Sequence, residues 1–282
     1  MKKKLLALAA MIVASIMLFS MVACNSGAKV KVLKDIELTS EEYAFAIQKG
    51  NTTLLNQVND ILGEMKEDGS LETLINSYFD STATFTYTNK TSAPAKGDFV
   101  VATNAYFPPF EYYEGNKLTG IDIEIASIIA TKLNKTLFVL DMDFDPIIAS
   151  VEMGESDIGM AGMTVDESRL KRVDFAIGYY ESAQVITVRA DDTTFDSCKT
   201  AEDVEKILAE KDSSYLVGTQ NGTTGYMYSA GDEDFGYDGF KNLTTKGYTT
   251  GALAVKDLSN GKINAVILDK QPSIMIAEGL NR

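Results

Sequence analysis

The sequence predicts an α/β fold arranged as two lobes, and three observations point to it. Short apolar strands alternate with helical segments over most of the chain, which suits parallel α/β layers rather than a bundle or a sandwich. The 282 residues, 45% of them hydrophobic, are enough for two compact cores. Three loops dense in glycine, hydroxyl and aromatic residues follow strand ends, where open α/β sheets take ligands.

Each element has its own signal. Residues 29–33 (KVKVL) and 43–47 read as strands. A helix begins near Thr52, with Leu54, Leu55, Val58, Ile61, Leu62 and Met65 at helical spacing, and stops at the turn Asp68-Gly69. Ser70 is placed to cap a second helix, whose Leu71, Leu74, Ile75, Tyr78 and Phe79 form one apolar stripe. Residues 80–97, rich in Thr and Ser, read as a linker, and the alternation in TATFTYT hints at an edge strand. FVVAT (99–103) is a buried-type strand, 122–133 a helix and 137–140 a strand. Asp145-Pro146 opens a helix, with proline in the first turn, and DIGMAG is a strand. QVITV precedes a helix capped by Thr200 with Asp203 three residues on. YLVGT leads into the turn QNGTTG. Thr250 starts a helix holding Leu253, Val255 and Leu258, INAVILD is a strand ending in Asp269, and Pro272 opens the last helix.

Composition excludes several functions. The formal charge is −14, and without residues 1–23 the chain keeps 23 basic against 40 acidic residues. Such a surface repels phosphate backbones, so no nucleic-acid partner is expected. There is no histidine, which removes histidine-based acid–base work, histidine triads and most zinc or iron sites. Cys24 and Cys198 fit neither a disulfide framework nor a metal cluster. No metal, cofactor or catalytic residue is expected. Residues 1–23 have a basic start, an apolar core and small residues before Cys24. This resembles a bacterial lipoprotein signal, with MVAC as the cleavage box, Cys24 as the lipidated first mature residue and 24–28 as a spacer. The expected location is the outer face of the cytoplasmic membrane.

The loops carry the chemistry. TNAYFPPFEY is dense in aromatics, and in AGMTVDESRLKRVDF Thr164 and Arg169 flank a helix start. QNGTTG is a glycine turn that points backbone N–H groups and the hydroxyls of Thr223 and Thr224 outward. Free amides at a helix N-terminus attract a carboxylate or phosphate, and an arginine adds a two-pronged fork for the same group. Asp269 suits an ammonium. Arginine plus amides for an anion, with an acid for a cation, match the two ends of a free α-amino acid. Each residue has a plainer reading: Arg169 as a solvated helix residue, the glycine turn as only a turn, Phe107, Phe110 and Phe144 as core, Asp269 beside Lys270 as a surface pair. Their combination and order along the chain favour the site.

From Phe99 to about Leu280 the chain resembles the polar amino acid family of solute-binding proteins for ABC importers. The matching stretches are FVVATNAYFPPFEY, GIDIEIASIIATKL, MDFDPIIASVEMGESDIGMAGMTVDESRLKRVDFAIGYYES, VGTQNGTTG and INAVILD, the third being highly specific. The resemblance implies a type II periplasmic-binding-protein-like fold, two lobes around a cleft joined by two crossover segments. It also implies that Arg169 holds the ligand carboxylate with help from Thr224. The Gly162 carbonyl, the Thr164 hydroxyl and Asp269 would hold the ammonium, with Phe107 and Phe144 sandwiching the ligand. Asn104 and Gln220 match positions that reach toward the ligand side chain. Some members carry an acid at the Asn104 position. Asparagine there, with Leu268 making that wall apolar, tilts the expectation toward a neutral polar amino acid such as glutamine. The expected partners are that free amino acid, an ABC permease and, through the lipid, the membrane; a monomer is expected. Two other readings stand beside this one: a cyclic-acid dehydratase on the same scaffold, with Glu111 or Asp143 as its acid, and the ligand-sensing subunit of a signalling system.

The stretch from LTSEEYAF to SYF (38–79) resembles the segment that ends such chains, where it follows the AVILD strand and its helix. Here it comes first. The chain is therefore expected to be circularly permuted, with 80–97 tying the former end to the former start. That joint of 18 residues would average roughly 23 Å as a flexible coil and could stretch to about 60 Å. Domain termini commonly lie close together, which makes permutation tolerable. The expected boundaries are 43–180 for lobe 1, linker included, and 29–42 with 182–282 for lobe 2.

Overall fold

A computed structural model describes residues 27–282. Cys24 and the expected signal segment 1–23 lie outside the described residues. Apolar runs that are buried on both faces build two five-stranded sheets, one per lobe. In the first lobe the strand order is Val173–Phe175, Ala46–Gln48, Ile158–Gly159, Phe99–Thr103, Leu137–Asp141. Phe99–Thr103 runs parallel to both neighbours, while Ala46–Gln48 is antiparallel to both of its own. The second lobe repeats the plan in the order Val30–Val32, Gln184–Arg189, Ala265–Asp269, Leu216–Gln220, Thr244–Tyr248. Leu216–Gln220 is parallel to both neighbours, and Gln184–Arg189 is antiparallel to both of its own. The strands VVA and AVIL need no polar alternation because helices cover both faces.

The helices follow from local signals. Thr52–Glu67 buries Leu54, Val58, Ile61, Leu62 and Met65 as a single stripe, and the Asn51 side chain caps it by accepting from Leu54 N. Thr200 and Asp203 close the expected capping box, and Thr250 caps Gly251–Ser259. The cap expected of Ser70 is not made. Gly69 is the residue before that helix, at φ 76°, and Ser70 is its first helical residue, with Asp68 accepting from Ser70 N at 2.8 Å. The corner between the two helices is tight enough to need a left-handed residue, and glycine takes that conformation without strain.

Other expectations are corrected by pairing. The single strand read at 43–47 is two, Glu41–Tyr43 and Ala46–Gln48, broken at Ala44-Phe45. The first pairs antiparallel with Tyr180–Ser182 in a two-stranded ladder between the lobes, and the second belongs to the first lobe's sheet. Ala44 N donates to Met163 O and Phe45 O accepts from Ala176 N, both at 3.0 Å, which ties the break to the segments that follow the neighbouring strands. DIGMAG yields only Ile158–Gly159 as strand. The aromatic loop is partly a three-stranded sheet, Tyr106–Phe107, Glu111–Glu114 and Lys117–Thr119. QNGTTG is a turn only at its start, because Thr224 opens the helix Thr224–Ala230.

The 80–97 linker lies along the first lobe. Ala83, Phe85, Tyr87 and Asn89 are half-buried while the residues between them are exposed, the alternation of a strand. Tyr87 forms a lone antiparallel bridge with Leu118. The Asn89 side chain then donates to Val139 O at 2.8 Å and accepts from Val139 N at 2.9 Å, sealing part of the outer edge of Leu137–Asp141.

Candidate functional site

Strand ends from both sheets converge on one cleft. Asn104 follows Phe99–Thr103, and Gly162 and Thr164 follow Ile158–Gly159. From the second lobe come Gln220 and Asp269, each the last residue of its strand. Of the ten residues nominated from sequence, nine line a single cavity of about 10 Å³. The tenth, Arg169, is coupled to that wall through Thr164.

The sequence folds Arg169 into place. Asp166 caps the short helix Glu167–Leu170 by accepting from Arg169 N at 2.9 Å, and its carboxylate lies 3.2 Å from Arg169 Nε. Nη1 donates to Thr164 O at 2.6 Å, and Nη2 donates across the cleft to Gly222 O at 3.0 Å. The guanidinium lies near two rings, 5.5 Å from the centroid of Phe144 and 5.4 Å from that of Phe235. Arg169 is 6% exposed. Burial draws its pKa down and the Asp166 charge draws it up, yet a guanidinium stays ionised throughout. Each terminal nitrogen carries two N–H groups and has spent one here, so one on each remains for a further acceptor. Thr224 Oγ1 is buried with no hydrogen-bond partner.

The opposite end is acidic. Asp269 accepts from Tyr43 OH at 2.5 Å, and Glu41 accepts from Thr164 Oγ1 at 2.5 Å and from Gln184 Nε2 at 3.0 Å. Burial, then the Glu41 charge, pushes Asp269 from 3.8 up to about 7. A cation arriving here would oppose both by favouring the ionised carboxylate. Gly162 sits at φ 53°, and a Cβ on it would come 2.6 Å from the Phe107 ring, so the backbone must approach that aromatic wall bare.

The third wall is neutral. Gln220 Nε2 donates to Asn104 Oδ1 at 2.9 Å, joining the lobes, while Asn104 Nδ2 donates to Met142 O at 2.8 Å. Gln220 Oε1 accepts from Gly251 N at 3.3 Å. Both amides are buried.

Sequence reasoning overlooked other participants. Glu41 and Tyr43 lay at the expected boundary between the lobes, at 42/43, and Phe235 lay in GDEDFGYDG, which matched no motif. Glu111, which the sequence offered only as the acid of the dehydratase reading, lines the cavity fully buried, with both carboxyl oxygens unpartnered. Burial, then the Asp122 charge, pushes it well above the usual carboxylate range. Asp122 accepts from Gly162 N at 3.0 Å and from Tyr179 OH at 2.6 Å, and burial raises it to about 6. Asp143 lines a neighbouring groove instead. Thr223 lines the cavity, but its hydroxyl is spent on Gln220 O at 2.8 Å.

Comparison with known proteins agrees with this architecture. The family described as bacterial extracellular solute-binding proteins, family 3, matches residues 99–268, and the chain belongs to it. The arginine-binding extracellular protein ArtP of Bacillus subtilis is 35% identical over 103 residues, 36% of this chain and 40% of that one. Matches to the first three curated relatives span 40% to 65% of their own lengths, and these relatives are named as binding proteins. An ancestral arginine-binding protein, solved with arginine and with glutamine bound, superposes at a TM-score of 0.54 in both cases. Its identities are 31% and 30%, over 65% and 66% of this chain and 75% of that chain. The ancestral amino acid-binding protein AncCDT-1, a precursor of cyclohexadienyl dehydratase, gives a TM-score of 0.56 at 27% identity, over 65% of this chain and 74% of its own. This fold and family define an extracellular solute-binding protein of family 3. No helix among the described residues is long and apolar enough to cross a membrane.

Proposed function

We propose that the protein captures a free, neutral polar amino acid outside the cytoplasmic membrane and hands it to an ABC importer. The observation that carries this reading is the separation of charge in the cleft. Arg169 offers two N–H groups and Thr224 an unpartnered hydroxyl at one end, and Asp269 offers a carboxylate at the other. Between them the Asn104–Gln220 pair presents amides and no charge to the ligand side chain, which supports glutamine over arginine. Burying a zwitterion costs several kcal/mol per ion, so each end needs a charge-assisted partner of about 1.5–3 kcal/mol. Thermal melting with each of the twenty common amino acids tests the reading. A ligand at a hundred times its Kd adds about 2.7 kcal/mol, a clear rise for one or a few neutral polar residues. No rise with any of the twenty would remove it, and a rise with arginine alone would remove the neutral side chain.

Two further readings belong to the same proposal. The chain is circularly permuted, with lobe 1 as 43–180 and lobe 2 as 29–42 with 182–282. Supporting this, the family match starts at 99, while Val30–Val32 and Ala46–Gln48, ahead of it, fill places in the two sheets. The last helix also ends against the first strand, where Asn281 Nδ2 donates to Val30 O at 2.8 Å and Oδ1 accepts from Val30 N at 3.0 Å. Cys24 is the lipid attachment point, with the five residues 25–29 between it and the second lobe's first strand. Cys24→Ser is expected to move the protein from the membrane fraction to the soluble fraction; retention in the membrane would remove the anchor.

A further inference from the structure

We propose that the Gly231–Gly239 hairpin of the second lobe is a clamp that seats Arg169 of the first lobe, with Phe235 as the positioning residue and Asp234–Lys171 as the outer latch. This rests on the reading of Arg169 as the group that grips the ligand carboxylate. The hairpin joins the helix Thr224–Ala230 to the strand Thr244–Tyr248. Its base is pinned, since Asp232 and Tyr237 exchange backbone hydrogen bonds at 2.8 and 3.0 Å. Gly231 and Gly239 touch so closely that a Cβ on Gly239 would come 2.3 Å from Gly231 N. Its tip is shaped by the Asp232 carboxylate, which accepts from Asp234 N at 3.0 Å and from Phe235 N at 3.2 Å. Tyr237 packs edge-on against Tyr228, ring centroids 5.5 Å apart, which fixes the hairpin to the helix that also carries Thr224.

The tip then reaches over the cleft. Arg169 Cζ lies over the Phe235 ring at 5.4 Å and over the Phe144 ring at 5.5 Å, so a ring from each lobe contacts the guanidinium. Ring contacts from both lobes restrict how the guanidinium can tilt, and so restrict the directions of its remaining N–H groups. Outside, Lys171 Nζ meets Asp234 Oδ1 at 2.6 Å. Lys171 is the cation among carboxylates that would otherwise repel, Asp166 and Glu167 on its own side and Asp234 on the other. The ring contact and the ion pair exist only when the lobes are together, so they add to ligand retention. Neither belongs to the surface of an isolated lobe.

The test is calorimetry and stopped-flow dissociation on the full chain, using whichever common amino acid the wild type binds most tightly. Phe235→Ala is expected to weaken affinity about fivefold through faster dissociation, the worth of one partly exposed cation–π contact. Phe235→Tyr should keep the affinity and Phe235→Leu should not, with the ligand-free melting temperature unchanged in all three. Lys171→Glu is expected to cost roughly threefold, with Asp234→Lys in the same chain restoring it and the effect fading at high salt. Affinities within twofold of wild type, or recovery with leucine, would overturn the clamp. If no amino acid binds the wild type, the binding reading fails, and carbodiimide cross-linking still decides the clamp. A Lys171–Asp234 cross-linked peptide supports it, and its absence overturns it.

Discussion

Arg169 and Asp269 do opposite things with charge. Arg169 brings an ionised group to the cleft; Asp166 pairs with its Nε at 3.2 Å, while Nη1 and Nη2 meet only the neutral carbonyls of Thr164 and Gly222. Arg169→Ala is therefore expected to cost about 2–5 kcal/mol of ligand binding, because the carboxylate would stay buried without its partner. An affinity within threefold of wild type in a calorimetric titration would reject that role. Asp269 titrates near neutrality, and the sign follows. Its folded-state pKa is raised from 3.8 to about 7, so its contribution to ligand-free stability is present at low pH and is lost as the pH rises from about 4 to about 7. An ammonium ligand needs the ionised form. Affinity should thus fall by up to roughly tenfold per pH unit below 7, with proton release on binding. A flat affinity between pH 5 and 8 would place the ammonium elsewhere. The residues that were legible in the sequence are those that end a strand or start a helix, such as Asp269, Thr224 and Arg169. Glu41 and Phe235 were not, because their proximity to the site depends on how a crossover and a hairpin bend back across the lobes.

At the scale of elements, local rules succeeded where one local signal decides. The Thr200 capping box, the Thr250 cap and the stripe of Thr52–Glu67 needed no tertiary information. They failed where the chain changes partners. Residues 43–47 alternate like one strand, yet the break at Ala44-Phe45 divides them between a crossover ladder and a sheet. Ser70 looked like a cap because the sequence does not reveal that Gly69 turns the corner first. The linker shows a third case, since its strand-like alternation is real but pairing stops at one bridge and a side chain takes over. Asn89 is expected to matter there. Asn89→Ala should lower stability by about 1–2 kcal/mol, through loss of both Val139 contacts, without changing ligand affinity. Denaturant unfolding checks the first part and calorimetry the second; an unchanged midpoint would mean that the linker merely lies on the edge.

For the whole molecule, two similar sheets face each other across a cleft whose walls differ in charge. The Glu41–Tyr43 and Tyr180–Ser182 ladder joins them, and from it Tyr43 donates to Asp269 while Glu41 accepts from Thr164, so the connection between the lobes also reaches the site. The proposed permutation has a whole-molecule consequence. A chain rebuilt as 98–282 followed by 29–79, without the linker, should fold to the same two lobes and bind the same amino acid within about threefold. Failure to fold, or a changed ligand, would contradict the permutation. The central claim, that the cleft reads both ends of a free amino acid, is tested most directly by one calorimetric comparison. The preferred amino acid, its methyl ester and its N-acetyl derivative are titrated into the same preparation. The account predicts tight binding of the first and a loss of at least about a hundredfold for each of the others, since each leaves one buried charge unpaired. Comparable affinity for all three would contradict it.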